Sequence, residues 1–92
     1  MKCVKRIIDS YLVDTDRCKE IFSKSDLYFD YHYYKTPHGR FVAQAVPSYS
    51  MLKNNYEFVK MYFISEDEMK KVLEKQPDIY KDVFPDDKLN EA

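Results

Sequence analysis

The 92-residue chain has one glycine, Gly39, no tryptophan and two cysteines. Average usage near 7% would give about six glycines in a chain of this size. A dinucleotide fingerprint, a phosphate-binding P-loop and a nucleophile elbow each need two or more, because the backbone must pass close to a ligand or turn with positive φ. A single glycine excludes all three, together with the RNP1 signature of an RNA-binding sheet and the GXXG loop of a KH domain. Long apolar runs are also missing. The longest span a few residues, as in Met61-Tyr62-Phe63-Ile64, so neither a membrane span nor the apolar core of a signal peptide is expected. Cys3 and Cys18 are too few for a disulfide scaffold, and the expectation is a cytoplasmic protein with reduced thiols.

What the chain has in excess is aromatic rings. Nine Tyr and six Phe make up 16% of it, beside a hydrophobic fraction of 45% and a charged fraction of 34%. So much ring surface is incompatible with a disordered chain. A domain this short buries only roughly 60–65% of its unfolded surface, so some rings are expected to stay at least half exposed. The net charge of −1 hides an uneven distribution. Residues 1–64 carry ten basic and seven acidic side chains, whereas residues 65–92 carry five and nine. The acidic C-terminal quarter argues against a general nucleic-acid footprint and leaves room for a local basic patch in the N-terminal part.

Residues 1–13 are β-branched and apolar with interspersed charge, and read as one strand or as two short strands bent near Asp9-Ser10. Asp14-Thr15-Asp16 has the oxygen-bearing side chains of a helix start. Cys18, Ile21 and Phe22 follow at i, i+3 and i+4, which predicts a short helix over residues 16–23. Leu27 to Tyr34 and Phe41 to Val46 flank a turn in which Pro37 pre-sets φ and Gly39 takes αL, a β-hairpin. Alternation along its first strand assigns Leu27, Phe29, Tyr31 and Tyr33 to the core, and Tyr28, Asp30, His32 and Tyr34 to an exposed polar-aromatic face. A loop over residues 47–55 leads to a strand over residues 56–64. Ser65-Glu66-Asp67-Glu68 is a capping box, with Met69, Val72 and Leu73 as the apolar stripe of its helix. Pro77 stops that helix or starts the next turn, and Asp78–Phe84 continues as a short helix carrying Ile79/Val83 and Tyr80/Phe84 pairs. The expected fold is α+β in the order β-α-β-β-β-α, with about four mostly antiparallel strands and the helices packed on one face. Residues 1–84 form one domain, and residues 85–92 a frayed acidic tail.

Three local signatures resemble a family of small proteins encoded on plasmids, conjugative elements and prophages of Gram-positive bacteria. The matching residues are Asp14-Thr15-Asp16, the hairpin Tyr34-Lys35-Thr36-Pro37-His38-Gly39-Arg40-Phe41, and Ser65-Glu66-Asp67-Glu68-Met69 with Asp78 to Phe84, within residues 11–84. The chain departs from the family pattern at Leu12-Val13, at Cys18, and at Pro37-His38, where the hairpin usually has two lysines. The resemblance carries over no activity. It implies a mobile-element accessory protein, many of which bind and block a host or competitor protein.

No constellation for catalysis or metal binding emerges from the residues themselves. Cys3, Cys18, His32 and His38 lack the CxxC or HxxxH spacing that gives adjacent zinc ligands. Asp30 and His32, two apart on a strand, stand roughly 6–7 Å from each other, with no nucleophile in predictable reach. Neither enzymatic activity nor a metal or cofactor is therefore expected. The strongest functional signal is the surplus of tyrosines, since a rigid amphipathic ring gives interface area at low entropic cost. Tyr28, Tyr34, Tyr49 and Tyr56 are the candidates for outward or edge positions. Cross-strand pairing that only stabilises the hairpin explains the same rings.

The partner-binding candidates are Tyr28, Asp30, His32, Tyr34, Arg40 and Tyr56, with the acidic Asp78, Asp82, Asp86 and Asp87. The expected partner is a host defence or regulatory protein that the chain would inhibit. Self-association through an edge strand is a related expectation. The alternative is a single-stranded nucleic-acid module, with Lys2, Lys5, Arg6, Lys35, Arg40 and Lys60 lining the sheet and Tyr28 and Tyr34 stacking on bases.

Overall fold

The computed structural model describes residues 5–48 and 59–87. Six strands and two helices follow one another: β1 (Lys5–Ile8), β2 (Tyr11–Asp14), β3 (Lys19–Ser25), β4 (Phe29–Lys35), β5 (Phe41–Pro47), β6 (Lys60–Ile64), α1 (Glu66–Val72) and α2 (Pro77–Val83). Strands β3-β4-β5-β6 form an antiparallel meander, and β1-β2 a separate two-stranded sheet. The fold is α+β, as the element pattern predicts. Asp14, Cys3 and Tyr49 illustrate the division of the chain: Asp14 is described, whereas Cys3, Lys2, Tyr49 and Tyr56 lie outside the described residues.

Three turns set the geometry. β1 and β2 meet through Asp9 (φ 49°) and Ser10 (φ 70°). Positive φ at both central residues marks a type I′ turn, whose twist matches that of the strands it joins. Between β3 and β4, the Asp26 carboxylate accepts the amides of Tyr28 (2.8 Å) and Phe29 (2.7 Å). Those two bonds hold its pKa below the usual carboxylate range and leave Leu27 and Tyr28 pointing outward. Between β4 and β5, the Gly39 amide donates to the Thr36 carbonyl at 2.9 Å with Gly39 at φ 84°. The Arg40 amide donates to Thr36 Oγ1 at 3.0 Å, which closes the expected hairpin.

One element differs from the expectation. The segment read as a helix over residues 16–23 is a 3-10 turn, Thr15–Arg17, followed by β3. The Asp14 side chain does cap that turn, accepting the Asp16 amide at 3.0 Å. The helical spacing of Cys18, Ile21 and Phe22 has another origin. The register shifts between Glu20 and Phe22, so a bulge turns two successive residues, Ile21 and Phe22, toward the same core. The bulge thus accounts for the adjacent Ile21 and Phe22, whereas Cys18 precedes β3 and packs on the opposite face of the sheet.

The sheet is covered on both faces. On one, Tyr33, Phe41 and Ala43 pack against Met69, Leu73 and Phe84 from the helical layer. Helix α1 starts with the predicted capping box: the Glu68 amide donates to Ser65 Oγ (3.1 Å), and the Ser65 amide donates to Glu68 Oε1 (3.4 Å). Pro77 opens α2. On the opposite face Tyr34 and Val42 pack against Val13 of β2, with Ile8, Cys18, Met61 and Phe63 around them. Residues just past α2 are tied down: the Asp87 carboxylate accepts the Tyr80 hydroxyl and the Lys70 ammonium (3.3 Å). Asp87, expected in the acidic tail, is thus bonded to α1 and α2, and the rest of that tail, residues 88–92, lies outside the described residues.

Candidate interaction surface

The ten sequence-derived candidates fall on separate surfaces. Tyr28 sits at the β3–β4 turn, 56% exposed as expected. Tyr34 does not face solvent: it is 4% exposed, because the β1-β2 hairpin lies over the face that alternation along β4 left open. Its hydroxyl donates to Gln44 Oε1 at 3.3 Å. Burial, with Glu20 and Cys18 nearby, pushes that hydroxyl up to about 12. Leu27, assigned to the core, is 74% exposed because it belongs to the turn and not to the strand.

His32 pairs with Glu20 rather than Asp30. Its Nδ1 lies 2.9 Å from Glu20 Oε1 across the β3-β4 pair. Asp30 instead accepts the Ser48 hydroxyl at 3.2 Å. Both side chains are half-buried, so each is a strut of the sheet before it is a contact. Asp78, Asp82 and Asp86 are exposed, with Asp82 4.0 Å from Lys19, and Asp87 is engaged with Tyr80 and Lys70. Tyr56 lies outside the described residues.

Arg40 is the candidate around which a site assembles. Its guanidinium stands 3.7 Å from the Phe63 ring centroid and 4.8 Å from that of Tyr11. The two rings meet edge-on at 6.0 Å. Stacking on aromatic faces suits the planar guanidinium and leaves its N–H edge free to bind an anion. Arg40 is delivered by the Gly39 turn, Tyr11 by the type I′ hairpin and Phe63 by β6. Between these elements opens a cleft of about 400 Å³. Its rim carries Lys5, Arg17, His38 and Arg40 against a single carboxylate, Asp14. Cys18 lines it too, its thiol donating to the Asp14 carbonyl at 3.3 Å. Burial first, then Asp14, pushes that thiol's pKa up, which keeps it protonated and poorly nucleophilic.

Beside the cleft the hairpin presents an apolar surface that sequence reading missed. Ile7 and Leu12 are direct cross-strand partners on its outer face, 78% and 72% exposed; Tyr11, also exposed, lies on the other face beside Phe63. The signal was present in the alternation: Ile8 and Val13 point inward, so Ile7 and Leu12 must point out. Among the described residues no three His, Cys, Asp or Glu side chains converge as a metal site. No helix among them is long and apolar enough to cross a membrane. No family model, curated protein or solved structure matches the chain.

Proposed function

We propose that the protein is a non-enzymatic interaction module that binds another protein and acts by occupying it, as an inhibitor of a host defence or regulatory protein encoded by a mobile element would. The observation that carries this reading is the Ile7–Leu12 pair on the outer face of the β1-β2 hairpin. Two large aliphatic side chains set side by side in solvent forgo roughly 1.5–3 kcal/mol of burial each. A contiguous apolar patch rimmed by charge is characteristic of a protein contact surface. The resemblance of residues 11–84 to mobile-element accessory proteins supports the same reading.

The nucleic-acid alternative fares less well. Tyr34 is withdrawn into the core. Lys35 and Lys60 share the helix-covered face, opposite the one that Lys5 and Arg40 border, so the cations do not form one track.

Affinity capture with the full chain from a bacterial host tests the proposal. A protein recovered in stoichiometric amount by the wild type and lost with Ile7→Ser/Leu12→Ser is the expected result. Equal recovery by both, or none by either, would overturn it.

A further inference from the structure

The cleft under Arg40 has a chemistry of its own, and it borders the Ile7–Leu12 patch through Leu12, which lines it as well. Its cations come from three separate segments: Lys5 from β1, Arg17 from the 3-10 turn and Arg40 from the β4–β5 turn. None of the ion pairs among the described residues involves any of the three. Asp14 is occupied as a cap. Excess positive charge thus surrounds an apolar floor of Val13 and Phe63.

We propose that this cleft binds an acidic segment of the protein partner, its carboxylates paired with Lys5, Arg17 and Arg40 and an apolar side chain seated against Phe63 and Leu12. This rests on the protein-binding reading above and names the chemistry of the partner. Charge complementarity favours a carboxylate-bearing chain, because Arg offers planar two-point donation to such groups. The adjoining aliphatic pair favours a peptide over an oligonucleotide, because Ile and Leu offer bases no stacking surface and the exposed Tyr11 ring already carries the Arg40 guanidinium. Another cleft, on the other side of the β4–β5 turn, is lined by Glu66, Asp86 and Asp87 with Lys35. It has the opposite sign and would repel the same segment.

The test is NMR titration of the 15N-labelled full chain with the peptide EELEELEEL at about 0.05 M salt, where screening is weak. Amide shifts are expected at Lys5, Arg17, Cys18 and Arg40 and not along α2. The glutamine counterpart should bind at least about tenfold more weakly. Lys5 and Arg17 are accessible side chains, so Lys5→Glu/Arg17→Glu should keep the native spectrum while weakening EELEELEEL about tenfold or more and gaining affinity for KKLKKLKKL. The absence of cleft shifts, or equal shifts in the charge-reversed variant, would overturn the proposal. So would oligothymidylate shifting the cleft amides while the peptide leaves them unmoved. Capture of the host partner separates the two readings. If Lys5→Glu/Arg17→Glu retains a partner that Ile7→Ser/Leu12→Ser loses, the cleft proposal falls and the binding module stands. If neither variant loses it, the binding module falls as well.

Discussion

The two faces of the β3-β6 sheet are covered by very different material. The helical layer brings Met69, Leu73 and Phe84 onto one face, and Met69 and Leu73 are fully buried there. The other face has a four-residue-per-strand hairpin whose only fully buried side chain is Val13, together with a polar Tyr34–Gln44 contact. The first face has the apolar volume to stabilise the domain. The second is thin, and its cover carries apolar side chains outward as well as inward. The hairpin therefore contributes less buried apolar volume than the helical layer and leaves Ile7 and Leu12 in solvent.

The largest expected effect lies on the helical side. Leu73→Ala removes a fully buried side chain and should cost about 2–5 kcal/mol, read by chemical denaturation. A loss below about 1 kcal/mol would show that the helical layer is not the main core. On the other face, Tyr34→Phe deprives the buried Gln44 of its hydroxyl donor and should cost about 1–3 kcal/mol. Its pH dependence sharpens the comparison. A tyrosine raised to about 12 in the fold and near 10 in the unfolded chain stabilises the protein fully below pH 10. That contribution disappears as pH rises toward 12, when the unfolded chain releases the proton first. The stability gap between wild type and Tyr34→Phe should therefore narrow over about pH 10–12. Tyr31 and Tyr33, also raised by burial, are common to both proteins and drop out of the difference. A gap constant across that range would contradict the buried, neutral hydroxyl.

Smaller effects report on the turns that frame the cleft. A Cβ on Gly39 would meet nothing within 4 Å, so Gly39→Ala tests backbone conformation alone. It should cost about 1–2 kcal/mol, with Gly39→Asn costing less because Asn tolerates αL. Smallest is the hairpin turn. Asp9 and Ser10 hold positive φ without glycine, so Asp9→Asn/Ser10→Gly should stabilise the protein by about 0.5–1 kcal/mol. A rise in thermal midpoint confirms it, and a fall would mean that these side chains have a separate role.

The sequence made the fold class and the helical half largely legible, because their signals are local. Ser65 and Glu68 announce a helix start wherever they meet that spacing, and Pro37 with Gly39 announces a turn. Arg40 was visible only as a charge. Its significance depends on Tyr11 and Phe63, which are far apart in sequence and meet it only in three dimensions. Tyr34 was misassigned because alternation reveals which residues share a face but not whether a second sheet covers that face. β3 was misassigned because a bulge places Ile21 and Phe22 together as a helix would.

The bulge in β3 has a bearing on how the protein behaves when crowded. An unbroken strand at the margin of a sheet is a template on which further chains can grow into fibrils. Here the margin is interrupted between Glu20 and Phe22 and flanked by the exposed lysines Lys19 and Lys24, so another strand can neither keep register along it nor approach without meeting like charge. Ile7 and Leu12 stand exposed on the separate β1-β2 sheet, whereas this border offers another copy no continuous strand to extend.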